Sequence, residues 1–270
     1  MPVIFISRGT MSGVHLVLDL LRERTGIKCI SREDLEKKVN QYGDIATKVL
    51  QKLPEAVSDY EQFSKLRWPF LVLMRKALLE EIGRGDMVYH GYSGHLLLPA
   101  LRHFIRVRIH APISLRVPMT MERLSCDEKE ARAYISKADE QRVKWARFVY
   151  AKDIRNPLLY DLCLNLEHVT LKAASDILEG LLGEEDFQET EESLAEVERL
   201  RLASDIEKEL VVDPRAEGLE ISATVTDKEV RLVGPYLEEK KLKVVLQIAR
   251  SVPGVEAVSY VPGYREKVIE

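Results

Sequence analysis

A short apolar run, Val3-Ile4-Phe5-Ile6, leads into Ser7-Arg8-Gly9-Thr10-Met11-Ser12-Gly13 and then into a stripe of Val14, Val17, Leu18 and Leu21. A continuous apolar run suits a parallel strand buried on both faces. The i, i+3, i+4, i+7 spacing defines one face of a helix. Strand, glycine-bearing loop and helix in direct succession constrain this chain more than any other feature, because parallel strands need a covered crossover between them. The pattern recurs. Gly26 suits the C-terminal cap of the first helix. Ile27 to Ile30 reads as a strand, and Ser31 with Asp34 as the cap and third residue of another helix. A helical region runs from about Pro69 to Ile82 and stops at Gly83 and Gly85. Met87–His90, Ile105–Ile109 and Asp161–Leu164 read as strands, with a helical stretch from Ile113 to Tyr150 before the last. Leu171, Ala174, Ile177, Leu178 and Leu181 mark a closing helix. The expectation is an α/β fold, a parallel sheet with helices on both faces.

Charge divides the chain. Residues 1–182 carry 28 Lys+Arg against 23 Asp+Glu, and residues 183–270 carry 12 against 21. The step falls at the acidic run Gly183 to Glu192, which reads as a solvated linker. Three units are therefore expected: a domain over 1–182, an acidic linker over 183–197 and a small α+β unit over 198–262. In the last, Leu219, Ile221, Ala223 and Val225 alternate with polar residues as a half-buried strand does. Asp227-Lys228 makes a turn, and Val230 and Leu232 carry a second strand to Gly234. A helical stripe of Leu242, Val245, Ile248, Ala249 and Val252 follows, and then a third strand, Val255–Val261. A helix from about Glu198 to Leu210 precedes them.

The net charge of −4 gives no argument for nucleic acid. No apolar run reaches the roughly 18 residues of a membrane span. The N-terminus lacks the marks of a signal peptide, and Cys29, Cys126 and Cys163 fit neither a disulfide framework nor a zinc site. The expectation is a reduced, cytoplasmic protein. His90, His95, His103 and His110 show no metal-ligand spacing, so no metal site is expected, and Trp68 and Trp145 read as core.

The first loop occupies the place of a phosphate-binding loop. Such a loop needs glycines to turn backbone N–H groups toward phosphate, a lysine for the β- and γ-phosphates, and a Ser or Thr for Mg²⁺. Aligning GxxxxGK[ST] on Gly13 puts Val14 at the lysine, His15 at the hydroxyl and Arg8 at the first glycine. Three of four fixed positions fail, so the residues alone favour an ordinary strand–helix loop. From Leu101 to Arg155 there are 13 basic and 7 acidic residues, with Arg142, Lys144 and Arg147 close together. On charge alone this is a solvated helix face.

The runs Ile4-Phe5-Ile6-Ser7-Arg8…Ser12-Gly13 and Cys29-Ile30-Ser31-Arg32-Glu33-Asp34-Leu35 resemble the start of the cytidylate kinase-like family. Arg106-Val107-Arg108-Ile109-His110-Ala111-Pro112 is similar to a family strand ending in Ala-Pro. Glu130-Ala131 and Asp139-Glu140-Gln141-Arg142 resemble its lid helices. Asn156-Pro157-Leu158-Leu159-Tyr160-Asp161-Leu162-Cys163-Leu164-Asn165 resembles its most specific signature. The resemblance covers about residues 1–180. It implies a P-loop kinase-like domain with a helical lid over about 113–150. It also implies ATP and Mg²⁺ as cofactors, and phosphoryl transfer to a CMP-like nucleoside monophosphate. Arg142 and Arg147 would close on the phosphates, with Asp139 orienting Arg142. Arg8, Gly9, Thr10, Ser12, Gly13 and His15 would form the phosphate loop, with Arg8 supplying the missing cation. The chain departs from the family at Met11 and Val14, where glycine is usual, and at Gly91-Tyr92, where Gly-Arg is usual.

Thr226 to Gly234 and Val252-Pro253-Gly254-Val255-Glu256-Ala257-Val258 resemble a BON domain over about residues 198–262. That resemblance implies a small ligand, lipid or protein partner. The acidic balance disfavours adsorption to anionic lipid. The alternative to an enzyme is a non-catalytic nucleotide- or phosphate-sensing protein that acts through this unit.

Overall fold

The computed structural model describes residues 2–52, 60–83, 85–91, 93–227 and 229–263. The chain divides into two compact units, one of residues 1–34 and 82–190, the other of residues 35–81 and 191–270.

The first unit holds a five-stranded, all-parallel sheet. Its strands are β1 (Val3–Arg8), β2 (Lys28–Ser31), β3 (Met87–Gly91), β4 (Phe104–His110) and β5 (Leu162–Asn165), in the order β2-β3-β1-β4-β5. The expected α/β class is the observed one, and each expected strand of this sheet exists with its ends moved by at most about two residues. Helix α1 (Val14–Thr25) buries Val14, Val17, Leu18 and Leu21 against Ile4, Ile6, Ile105 and Val107 of the sheet. It ends at Gly26, whose φ of 68° is the left-handed cap that glycine supplies without strain. Helix α2 (Arg32–Val39) starts from a reciprocal cap. Ser31 Oγ accepts from Asp34 N at 3.1 Å, and Asp34 Oδ2 accepts from Ser31 N at 3.0 Å.

The stretch expected to be helical from Ile113 to Tyr150 is two helices, α5 (Ile113–Leu124) and α6 (Glu128–Tyr150). Asp127 and Glu130 form a capping box between them. Val117, Ala131 and Ile135 give the pair a small core of its own. Helix α7 (Leu171–Gly183) packs beside α1 with Ala174 and Leu178 buried.

The second unit holds α3 (Asp44–Gln51), α4 (Tyr60–Glu81), α8 (Glu191–Val212), α9 (Glu239–Arg250) and a three-stranded sheet, with α8 and α9 on the sheet and α3 and α4 packed on α8. That sheet runs β6 (Ser222–Thr226), β7 (Glu229–Gly234), β8 (Ala257–Pro262), with β6–β7 antiparallel and β7–β8 parallel. Its core includes Ile206, Leu210, Ile221, Leu232, Val245 and Ala249.

Two sequence expectations differ from this arrangement. Residues 191–197, assigned to an acidic linker, are the first turns of α8, with Ser193 and Val197 buried. Charge pattern misled there because Glu191, Glu192 and Glu196 lie outside the stripe that packs. Residues 35–81, assigned to the first domain by position in the chain, cluster with the C-terminal segment. The turn residue Lys228 lies outside the described residues.

Candidate phosphate-binding site

In the sheet, Ser7 is flanked in register by Gly91 on β3 and Arg108 on β4. β1 therefore delivers the loop at the carboxyl end of the sheet, beside the point where strand order reverses. Open parallel sheets place their ligands there.

The loop turns on two left-handed residues, Met11 at φ 53° and Gly13 at φ 75°. A Cβ at Gly13 would meet nothing closer than Met119 Sδ at 3.8 Å, so glycine is needed for its backbone angle and not for space. Gly13 caps α1, and its carbonyl accepts from Leu16 N at 3.0 Å. Val14, at the lysine position of the motif, is 1% exposed and belongs to the core beneath the sheet. His15, at the hydroxyl position, is exposed on the first turn of α1. Thr10 and Ser12 are buried, and their hydroxyl oxygens have no hydrogen-bond partner.

The lid helices clamp this loop. Thr10 N donates to Asp139 Oδ1 at 2.9 Å, and Thr10 O accepts from Arg116 Nε at 2.7 Å. Arg116 Nη2 closes the triangle on Asp139 Oδ2 at 2.5 Å. Burial opposes ionisation of Asp139, but the Thr10 amide and the Arg116 guanidinium outweigh it and hold the carboxyl below its ordinary range. Arg142 Nη1 donates to the carbonyl of Arg8 at 3.2 Å. Burial, and then the charge of Arg8, push Arg142 down to about 10 despite Asp139, with Arg108 adding to the fall. Arg8 is lowered as well, mainly by burial, with Glu33 opposing and Arg123 reinforcing.

Arg8, Gly9, Thr10, Ser12, Gly13, Asp139 and Arg142 are thus brought together. Gly9 faces the Arg116 guanidinium, where a Cβ would come within 3.6 Å of Cζ. Arg147 is not brought to the loop. It is more than half exposed and donates to Asp153 at 2.7 Å. Five residues from Arg142 is about 140° around a helix, so the two cannot share a face. The oxygens of Asp139 accept from Thr10 and Arg116, and its charge acts on Arg142. Two contributors escaped the sequence reading. Arg116 carries no motif, although it falls one turn after Pro112. Arg108 had a visible signal, a cation inside the otherwise apolar strand β4.

The Asn156–Asn165 signature is structural. Asn156 Oδ1 caps the turn at Leu158 N, 3.0 Å away. Tyr160 donates to Ile154 O at 2.8 Å and lies 3.3 Å from Ser7 Oγ. Asp161 accepts from Arg106 N at 2.7 Å and Nη2 at 2.6 Å, which fixes β5 to β4. Tyr160 also packs its ring against His95, with centroids 4.8 Å apart and the planes tilted by 48°. Burial, and then Arg106 and Arg108, push His95 down to about 3, so it is neutral. Gly91 is required by space, since a Cβ would lie 2.9 Å from Tyr89 Oη and 3.3 Å from Arg32 Cβ. Tyr92 lies outside the described residues. Trp145 is buried in the lid with the Arg32 guanidinium 5.8 Å from its ring centroid.

A parallel sheet that presents a glycine-turned loop at its carboxyl end, under an arginine-bearing helical lid, defines a kinase-like nucleotide-binding fold. Residues 3–168 match the cytidylate kinase-like family, and the chain belongs to that family. A comparison with curated proteins finds no match. Among solved structures, an uncharacterised protein from Eubacterium ventriosum superposes with a TM-score of 0.53 at 20% identity. It covers 68% of this chain and all of its own. TT1252 from Thermus thermophilus gives a TM-score of 0.44 at 18% identity, covering 67% of this chain and 96% of its own. Shikimate kinase from Bacteroides thetaiotaomicron gives 0.40 at 13% identity, covering 67% of this chain and 98% of its own. Only the first of these likenesses is close enough to bear on the fold, which it supports.

The side chains here do not fit the Mg²⁺–triphosphate of ATP as the motif would hold it. The lysine position is a core valine, and the position of the Mg²⁺-binding hydroxyl is an exposed imidazole. Among the described residues, no three His, Cys, Asp or Glu side chains group as a metal site would. Among the described residues, no helix is long and apolar enough to cross a membrane.

Proposed function

We propose that this chain binds the phosphate of a nucleotide beneath its lid and serves as a nucleotide- or phosphate-sensing protein, without turning over ATP. The observation that carries this reading is Val14. A cation that meets the β- and γ-phosphates is central to phosphoryl transfer on this fold, and here its position is packed into the core. The remaining donors are the arginines and buried hydroxyls of the loop and lid, which suit recognition of phosphate oxygens.

A second reading, ATP-dependent phosphoryl transfer to a CMP-like monophosphate, is favoured by the docking of Asp139 and Arg142 on the loop. On that reading Arg8 and Arg142 would stabilise charge on the transferred group. The C-terminal part of the chain, read as a BON-like module, would give the output of either through a ligand or protein partner. Its support is the succession of helix, hairpin, helix and parallel strand over α8 to β8.

Calorimetric titration with nucleoside monophosphates and ATP–Mg²⁺, beside a coupled assay for ADP, tests both. Binding of a nucleotide with no ADP release supports the first reading. Turnover that falls on Arg142→Ala establishes the second. No nucleotide binding at all overturns both.

A further inference from the structure

The two edges of the β6-β7-β8 sheet differ. The β6 edge is closed. Helix α8 packs along β6, and its buried Glu207 takes the outer N–H of Ala223 at 3.0 Å. The β8 edge is open. Among the described residues no strand pairs with the far side of β8, and Ala257, Ser259 and Pro262 are exposed.

Gly263 N donates toward β7, to Gly234 O at 2.8 Å. Successive residues of a parallel strand turn their backbone groups to alternate sides. Ser259 and Val261 therefore face β7 as Gly263 does, while Val258, Tyr260 and Pro262 face outward. No residue of β8 carries a charge. Exposed edges are ordinarily blunted by charged side chains, because unpaired backbone groups template another strand. Here the only such device is Pro262, at the end of the strand, with its missing N–H on the outer side.

The geometry points to a second copy of this chain as the occupant of the edge, with the two β8 strands paired antiparallel about a two-fold axis at Ser259. The pairing is independent of the nucleotide reading. In this register Val258 lies opposite the partner's Tyr260 and exchanges both backbone hydrogen bonds with it, a favourable aromatic and β-branched pair. Ser259 meets its own copy. Glu256, the nearest carboxylate in the chain, falls opposite the partner's Pro262, so no like charges face each other. An axis moved toward the C-terminus sets Pro262 opposite Tyr260 or Val258 and loses a donor. Arg231 lies beside Ser259 on β7. It stands three strand spacings, about 14 Å, from its copy, beyond the Debye length of about 8 Å. The half-buried Val258 and Tyr260 belong to the core beneath the sheet, and pairing continues that apolar layer across the axis. With the β6 edge closed by α8, association ends at two chains and does not grow into a longer sheet.

Sedimentation of the full chain from about 1 to 500 µM is the test, since an interface one strand wide belongs to the weak class. The mass should rise from monomer to dimer and stop there. Ser259→Lys sets two ammonium groups face to face on the axis and should keep the chain monomeric throughout. Its thermal midpoint should change little, because Ser259 is exposed. Ser259→Cys should give a disulfide-linked dimer under a mild oxidant. Residues that face each other across an antiparallel pair have Cα atoms about 4.5–5.5 Å apart, within disulfide reach. Ala257→Cys should not cross-link above the level of the parent's own cysteines, because its two copies lie about 13 Å apart along the strands. If Ser259→Lys fails to fold, the two cysteine variants carry the test.

A parent that stays monomeric over the whole range overturns the proposal, and so does a dimer that survives in folded Ser259→Lys. Cross-linking as efficient at position 257 as at 259 overturns the register. A monomer whose Val258 and Tyr260 amides resist hydrogen exchange overturns it too, and places a segment of the same chain on the edge.

Discussion

Arg75 on α4 donates from Nη1 to Glu207 Oε2 on α8 at 2.9 Å, across 132 residues of sequence. Glu207 is 2% exposed, and its other oxygen accepts from Ala223 N on β6 at 3.0 Å. One carboxylate thus joins three elements of the second unit. Removing one partner of a buried pair leaves the other charge uncompensated, at a cost of about 3–5 kcal/mol. Glu207→Ala should lower the urea midpoint accordingly. Glu207→Gln, which still accepts from Ala223, should cost less. Equal stability in all three proteins would show the pair to be dispensable.

The same contacts bear on where the chain can be cut. α4 packs on α8, where Lys76 also pairs with Asp205 and Arg201 reaches the carbonyl of Leu79 at 3.3 Å. A fragment ending at Leu182 keeps α4 and deletes α8, so the apolar face of α4 loses its cover. This fragment should expose hydrophobic surface and associate in solution. A fragment that is monomeric, with a cooperative thermal transition, would show that residues 35–81 do not need α8.

The parallel sheet was legible because a strand buried on both faces must be continuously apolar and a covering helix must repeat its stripe. Val3–Ile6 and Val14–Leu21 leave little freedom. The membership of residues 35–81 was not legible, since Arg75 and Glu207 are charged and each alone reads as surface. Around the loop, Arg8 and Thr10 could be placed by motif position. Arg116 could not, because its role depends on the angle at which α5 leaves Pro112. Val14 shows the opposite limit. Its position in the pattern suggested chemistry, while its side chain belongs to the apolar stripe of α1.

Asp139 should make stability depend on pH. Its folded pKa lies below the unfolded value of about 3.9. A depressed carboxyl contributes stability that is fully present above the unfolded value and is lost as pH falls through the folded one. Asp139→Asn should therefore lower the midpoint at pH 7, and the gap to the parent should narrow below pH of about 4. Side-chain exposure of 36% screens the charge, so the neutral-pH effect should be modest. A gap that stays constant down to acid pH would mean that the charge of Asp139 contributes nothing.

Arg142 should behave in the reverse sense. A base whose folded pKa falls to about 10 is more costly to keep charged in the folded chain than in the unfolded one. Stability should therefore rise as pH climbs toward and past that value. Arg142→Gln should raise the midpoint in phosphate-free buffer and remove that rise. It should also lose most of the stabilisation that phosphate gives the parent. Arg147→Gln, on the Asp153 side of the helix, should change both readings much less. Equal responses from the two variants would argue that the lid meets the ligand as a diffuse positive surface.

Val14→Lys separates a latent phosphate loop from a closed one. Were the ancestral geometry intact, a lysine there would reach phosphate and ATP affinity would rise. Here the side chain is 1% exposed among Ile4, Val17 and Leu18. An ammonium at that depth must either be desolvated or be forced to give up its proton. The expected result is a loss of about 3–5 kcal/mol at pH 7. That loss should shrink as pH rises and the introduced amine becomes neutral. ATP affinity should not increase. A stable variant with tighter ATP binding would show that the first turn of α1 can rotate this position toward the loop, and would return the chain to the phosphoryl-transfer reading.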